Sequence, residues 1–232
     1  MAVAAQSSRL SRSFRKKAAV RSRVLVERYG EEIATQITED ACRRYDSFVP
    51  EIESLPKGLL NGALAGTYDY LVYAQAMRER GYSAEEIGSF FSDSYDTLIE
   101  RFPKWLGPVI FRVARPFLRR KLKKDAAANT RDSRERSADG WQYEYVAPEH
   151  GSHDLGFNVT QCAVCTLFKR HEAEDLVPYL CALDDKMSQT LDMGLRREGT
   201  RAVGASCCDF RYKAGGEPKA LSSKRSLPIS QS

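Results

Sequence analysis

At about residue 140 the hydrophobic period of this chain changes from helical spacing to strict alternation, and that change limits the folds open to it. Before it, apolar residues recur every three or four positions. Leu10, Phe14, Ala18 and Leu25 begin the pattern, Gly30 interrupts it after Tyr29, and Ile33, Ile37, Ala41 and Tyr45 resume it. Pro50 and Pro56 mark a loop. Leu60, Leu64, Tyr68, Leu71 and Gln75 predict a helix over 57–80, closed by Gly81 as a left-handed cap. Ser83 and Glu86 have the spacing of a capping box, which starts a further helix that Pro103 ends. Residues 104–124 form a basic amphipathic stretch, in which Trp105, Ile110, Phe111, Val113 and Phe117 oppose six cations between Arg115 and Lys124. Pro108 and Pro116 weaken a continuous helix there.

After residue 140, Trp141, Tyr143 and Tyr145 alternate with polar residues, as do Leu155, Phe157 and Val159. The turn residues from Pro148 to Gly151 join these two strands as a hairpin. A short helix over 161–170 and a longer one over 172–193, closed by Gly194, follow. Residues 201–212 return to a strand, with Cys208, Phe210 and Tyr212 on one face and Cys207, Asp209 and Arg211 on the other. The fold class expected is α+β: a helical N-terminal half followed by an antiparallel sheet with helices packed on one face. The expected organisation is a helical region over 9–124, a polar linker over 125–140, an α+β region over 141–213 and a disordered tail over 214–232.

Charge narrows the function classes. The chain carries a net +5, concentrated in two stretches: residues 1–26, with seven Lys and Arg and no acid, and residues 100–136, with twelve against four acids. Such stretches suit a solvated helical face, an anionic membrane surface or nucleic acid. No groove-reading motif is present and aromatics do not interleave with cations, so nucleic acid is not an expected partner. No run approaches the roughly 20 apolar residues of a membrane span, and no secretory apolar region follows the first methionine. The expected location is cytoplasmic. A mitochondrial transit peptide is the alternative reading of the Arg- and Ser-rich start.

Five of the six cysteines fall between Cys162 and Cys208, which in a reducing compartment argues against a disulfide framework. Cys162 and Cys165 form a C-x-x-C, but a zinc ribbon needs a second knuckle and there is none. Neither a metal nor a cofactor is expected. Cys181 lies three residues from Asp184 and four from Asp185, so a thiol and a carboxylate share a helix face. A carboxylate raises a neighbouring thiol's pKa, so activating the thiol needs a cation, a helix N-terminus or a base. Arg196, Arg197, Arg201 and Arg211 are the candidate cations.

Three segments in order carry a family resemblance: Asn158-Val159-Thr160-Gln161-Cys162, then Pro178 to Asp184 with its C-x-x-D, then Thr200, Gly204 and Cys208-Asp209-Phe210-Arg211-Tyr212. Together they resemble the L-2-amino-thiazoline-4-carboxylic acid hydrolase family, over about residues 141–212. Tyr29-Gly30 and the Trp141-x-Tyr143 pair are also similar; Cys165, Cys207 and the basic stretches are not part of the family pattern. The resemblance implies a hydrolase that opens a cyclic isothiourea carrying a carboxylate, a small-molecule substrate. Loss of the ring sulfur yields an N-carbamoyl cysteine and loss of the ring nitrogen an S-carbamoyl cysteine. On that basis Asp184 is the candidate general base or amidinium partner, and Cys181 or Cys208 the candidate nucleophile. Cys162 lies at the edge of the substrate site, with Arg197 or Arg211 holding the substrate carboxylate. The alternatives are a non-catalytic small-ligand module, in which the cysteines only pack, and a peripheral binder making weak contact with an anionic membrane through 104–124. The residues leave the oligomeric state open.

Overall fold

A computed structural model describes residues 8–99, 103, 106–131 and 140–219, with the side chains of 128–131 excepted. The chain divides into two compact units, the first ending at Leu98 and the second beginning at Ile99.

The first unit is helical: α1 (Arg9–Tyr29), α2 (Glu31–Ser54), α3 (Leu59–Arg78) and α4 (Ala84–Ile99). The Ser8 hydroxyl accepts the Ser11 N–H at 3.1 Å and caps α1. The same helix buries Phe14, Ala18 and Leu25, and Phe14 stacks on Tyr45 at 4.1 Å between ring centroids. The basic segment from Arg9 onward is therefore a packed core helix. Arg21 is fully enclosed, ion-paired to Asp69 at 3.3 Å with its guanidinium 4.8 Å from the Tyr70 ring centre. Residues 1–7 lie outside the described residues. The capping box forms: the Glu86 carboxylate accepts the Ser83 N–H at 2.8 Å and the Ser83 hydroxyl accepts the Glu86 N–H at 3.2 Å. Gly81 adopts the left-handed φ of 84° that ends α3. The loop expected at Pro50 is instead helix, because α2 continues to Ser54. Pro50 sits on the exposed face, so its ring points outward and one backbone hydrogen bond is lost near the helix end.

The second unit contains α5 (Leu106–Arg131), β1 (Gln142–Val146), β2 (Leu155–Gln161), α6 (Ala163–Arg170), α7 (Val177–Thr190), β3 (Leu195–Arg196) and β4 (Cys208–Tyr212). A 3-10 turn over Glu174–Leu176 leads into α7, with Pro178 in its first helical turn. The sheet is antiparallel throughout, in the order β1-β2-β4-β3. Tyr145 lies opposite Phe157, Phe157 opposite Phe210, Val159 opposite Cys208 and Leu195 opposite Tyr212. One sheet face therefore carries Tyr145, Phe157, Phe210, Tyr212 and Cys208. The helices meet this face: Phe111 of α5 contacts Tyr212 at 6.3 Å between ring centroids, Arg119 donates to the Tyr145 hydroxyl at 2.9 Å, and α7 joins it through Arg197. The other face presents Glu144, Asn158, Arg196, Asp209 and Arg211, as the alternation predicts.

Several boundaries differ from the sequence expectation. The helix expected over 172–193 is a 3-10 turn followed by α7 over Val177–Thr190, and the strand expected over 201–212 begins only at Cys208, after a 3-10 turn over Arg201–Val203. Helix α5 continues through Pro116 to Arg131, into the stretch expected as linker, supported by a Lys121–Asp125 pair at 3.2 Å and by buried Ala126. Residues 132–139 lie outside the described residues. The short strand β3 was not predicted, because two residues are too few for a periodic reading. The segment after Gly215 was expected to be free. Instead the Lys219 N–H donates to the Leu195 carbonyl at 3.0 Å, beside β3; residues 220–232 lie outside the described residues.

A candidate active site around Cys162

Strand β2 ends at Gln161 and runs directly into α6, so Cys162 occupies the N-cap position in extended backbone. Its sulfur lies beside the Val164 and Cys165 N–H groups of the first helical turn, whose positive field favours the thiolate, without a capping hydrogen bond. The Cys165 thiol, one turn along α6, donates to it. That thiol hydrogen bond is the largest influence on Cys162, and with the backbone N–H groups it outweighs burial and holds the thiol below its ordinary pKa. The donor role and burial push Cys165 the opposite way.

Helix α7 faces this pair with Cys181, Asp184 and Asp185. Arg197, immediately beyond β3, reaches into the helix with no side-chain exposure. It donates to Asp184 Oδ2 at 3.0 Å and to the Cys181 carbonyl at 2.8 Å, and it pairs with Asp185 Oδ2 at 3.1 Å. Its guanidinium also stacks over Phe210, 5.0 Å from the ring centre. These contacts engage both terminal nitrogens of the guanidinium, while its buried Nε has no hydrogen-bond partner among the described residues, so Arg197 orients carboxylates of its own chain. Asp184 keeps 36% of its side-chain surface accessible. Burial lifts its carboxyl to about 6 against the opposing pull of Arg197. Near neutral pH it is an ionised group with the basicity of a proton acceptor.

The remaining thiols are biased toward the neutral form. Burial, then Asp184, raises Cys181. Burial raises Cys208 to about 11, although its sulfur accepts the Arg201 N–H at 3.1 Å. Cys162, Cys165, Cys181, Cys208 and Asp184 lie within electrostatic reach of one another. The fold thus brings together Cys162, Cys181, Asp184, Arg197 and Cys208. It places Arg211 on the opposite sheet face, donating to Asn158 Oδ1 at 2.9 Å and to the Phe210 carbonyl at 2.8 Å. Among the described residues, no group of three or more His, Cys, Asp or Glu is arranged to hold a metal ion.

The terminal motif builds the walls of this site. Thr200 to Gly204 form a turn in which the Thr200 carbonyl accepts the N–H groups of Val203 and Ala205, at 3.2 and 3.1 Å. Gly204 takes the left-handed φ of 85° that closes the turn and aims the Arg201 N–H at Cys208. The Asp209 carboxylate accepts the N–H groups of Glu198 and Gly199, each at 3.0 Å, and so anchors the segment just after Arg197. Phe210 stacks on Phe157 at 4.7 Å and supports the Arg197 guanidinium from below.

Sequence reasoning overlooked Cys165 as the donor to Cys162. The signal was available: a C-x-x-C at a strand-to-helix junction puts its first sulfur at the helix N-terminus, whether or not it binds zinc. The clamp of Arg197 by two consecutive carboxylates was not legible, because it joins α7 to a strand too short to predict.

Comparison with known proteins gives a family. The sequence signature of the family described as L-2-amino-thiazoline-4-carboxylic acid hydrolase matches residues 83–212, more than half of the chain. No curated protein and no solved structure matches it.

Proposed function

The chain belongs to the L-2-amino-thiazoline-4-carboxylic acid hydrolase family, and from this membership and the site geometry we propose that it hydrolyses a cyclic isothiourea bearing a carboxylate, with Cys162 as nucleophile. The observation that carries the reading is the contrast among neighbouring thiols. Cys162, at the N-cap of α6, is the one biased toward thiolate, and it lies within electrostatic reach of the partly accessible Asp184 carboxylate. A thiolate is the form that attacks carbon.

The substrate's C2 is bonded to the ring sulfur, the ring nitrogen and an exocyclic nitrogen. Asp184 pairs with the amidinium of the protonated substrate and holds C2 against Cys162. The Cys162 Sγ–C2 bond forms and the C2–ring sulfur bond breaks; the ring sulfur leaves as a thiolate and takes up a proton. One thiolate replaces another, so this exchange needs less acid assistance than expelling a ring amine. The adduct is an isothiourea on Cys162 that carries the opened chain. Asp184 then takes a proton from water as its oxygen bonds to C2, and the Cys162 thiolate departs. The sum is substrate plus water giving an N-carbamoyl amino acid with a free thiol. In this scheme Cys181 and Cys208 pack the walls, and Arg197 keeps Asp184 in place.

Cys162→Ala is expected to abolish turnover of 2-aminothiazoline-4-carboxylate, and mass spectrometry of rapidly quenched wild-type enzyme to find the substrate mass on the Cys162 peptide. Turnover that survives Cys162→Ala but is lost in Cys181→Ala would overturn the assignment.

A further inference from the structure

Helix α5 leaves an apolar stripe in water. Five large apolar side chains are exposed among the described residues, and four of them stand on this helix: Val109 at 47%, Ile110 at 40%, Val113 at 76% and Phe117 at 67%. Val109, Val113 and Phe117 are spaced by four residues and so form one line along the helix. The inward face is separate and filled, with Phe111, Leu122 and Ala126 buried.

Charge follows the same geometry. Arg112 pairs with Asp192 at 3.4 Å, Arg115 with Asp154 at 2.9 Å, and Arg119 donates to Tyr145, so these cations hold α5 to its own unit. Arg120, Lys123 and Lys124 are exposed and have no acidic partner among the described residues. Arg120 and Lys124 continue the line begun by Val109, Val113 and Phe117 for two further turns. The outward stripe is thus apolar at its start and cationic at its end.

We propose that this stripe of α5 binds the surface of an anionic phospholipid bilayer, with Val109, Val113 and Phe117 entering the headgroup–acyl boundary and Arg120, Lys123 and Lys124 meeting lipid phosphates. Charge complementarity selects this occupant. An interfacial helix needs apolar side chains flanked by cations that attract anionic lipid. A second copy of the chain would bring the same cations against these. No helix among the described residues is long and apolar enough to cross a membrane, so the contact lies along the surface.

The test is co-sedimentation of the full chain with vesicles of phosphatidylcholine alone or mixed with phosphatidylglycerol. The expected result is binding to the anionic vesicles only, weakened by added salt. Reversing Arg120, Lys123 and Lys124 to Glu lowers the partition coefficient on the order of a hundredfold, about fivefold per cation. Val113→Ser with Phe117→Ser lowers it by roughly tenfold or more. Both sets alter exposed positions, and unchanged thermal melting and Cys162 alkylation verify the fold; Lys123→Gln with Lys124→Gln supplies a milder, graded loss. Equal binding to neutral and anionic vesicles, or none to either, overturns the proposal. So does a chain that ignores vesicles but self-associates until Val113→Ser and Phe117→Ser make it monomeric.

Discussion

At the scale of single residues, the site separates two groups that sequence chemistry alone treats as a pair. Asp184 is a carboxylate whose pKa burial has raised to about 6, and its negative charge opposes ionisation of Cys162. The signs make a test. Because the folded value lies above that of a free carboxyl, folding takes up a proton on Asp184 between about pH 4 and 6. The associated stabilisation is complete below that range and is lost as pH rises through about 6, where the side chain ionises and becomes a competent base. Turnover is therefore expected to fall as pH drops below about 6. Asp184→Asn removes both the base and the opposing charge. It should abolish turnover and at the same time speed alkylation of Cys162 by iodoacetamide at neutral pH. Slower alkylation in Asp184→Asn, measured on the Cys162 peptide, would show that the carboxylate does not oppose this thiolate.

At the scale of elements, the connections around β3 set the site, and they were the least legible in the sequence. The hairpin β1–β2, the helix after it and the face assignment of β4 follow from alternation and turn chemistry, and those residues lie as expected. Asp209 and Arg211 were correctly placed on the face away from Cys208, yet alternation could not reveal that Asp209 anchors the loop carrying Arg197. That depends on a long-range contact with a two-residue strand. The linker boundary was misjudged because polar, charged residues rich in Ala suit a surface helix as well as a linker. Two glycines near β3 test the local account. Gly194 has a φ of 55°, and a Cβ there would lie 2.2 Å from the Lys213 carbonyl oxygen and 2.7 Å from that of Gly216, both backbone atoms. Gly204 has a φ of 85° with open space around it. Gly204→Ala should cost about 1 kcal/mol of stability, the backbone term alone. Gly194→Ala should cost roughly 2–3 kcal/mol, because the strand connection must also move. Urea unfolding of both variants measures the difference; equal losses would mean that crowding at Gly194 carries no energy.

At the scale of the whole molecule, two stretches that look alike in composition serve different ends. The cations of α1 work inside the first unit, where Arg21 pairs with Asp69 and Arg15 with Asp46, whereas much of the positive charge of α5 projects outward. Composition could not distinguish them, because burial depends on which helix face finds a partner. The C-terminal segment poses the same question, and there truncation can answer it. Lys219 donates its N–H to the Leu195 carbonyl at 3.0 Å, forms a parallel bridge with Arg196 and pairs its ammonium with Glu198 at 2.6 Å. The ion pair is exposed and screened by water, so it contributes little, while the backbone hydrogen bond contributes about 1 kcal/mol. What they cover matters more, since β3 is two residues long and ends where Arg197 enters the site. A chain ending at Lys219 is expected to melt with the full chain and turn over equally. A chain ending at Gly215 loses both contacts and should melt about 2–4 °C lower, the shift that about 1 kcal/mol produces in a protein of this size. Its turnover should fall further than its folded fraction does, because Arg197 loses part of the support that orients Asp184. Identical melting of the two truncated chains would show that the segment after Gly215 lies against β3 without stabilising it.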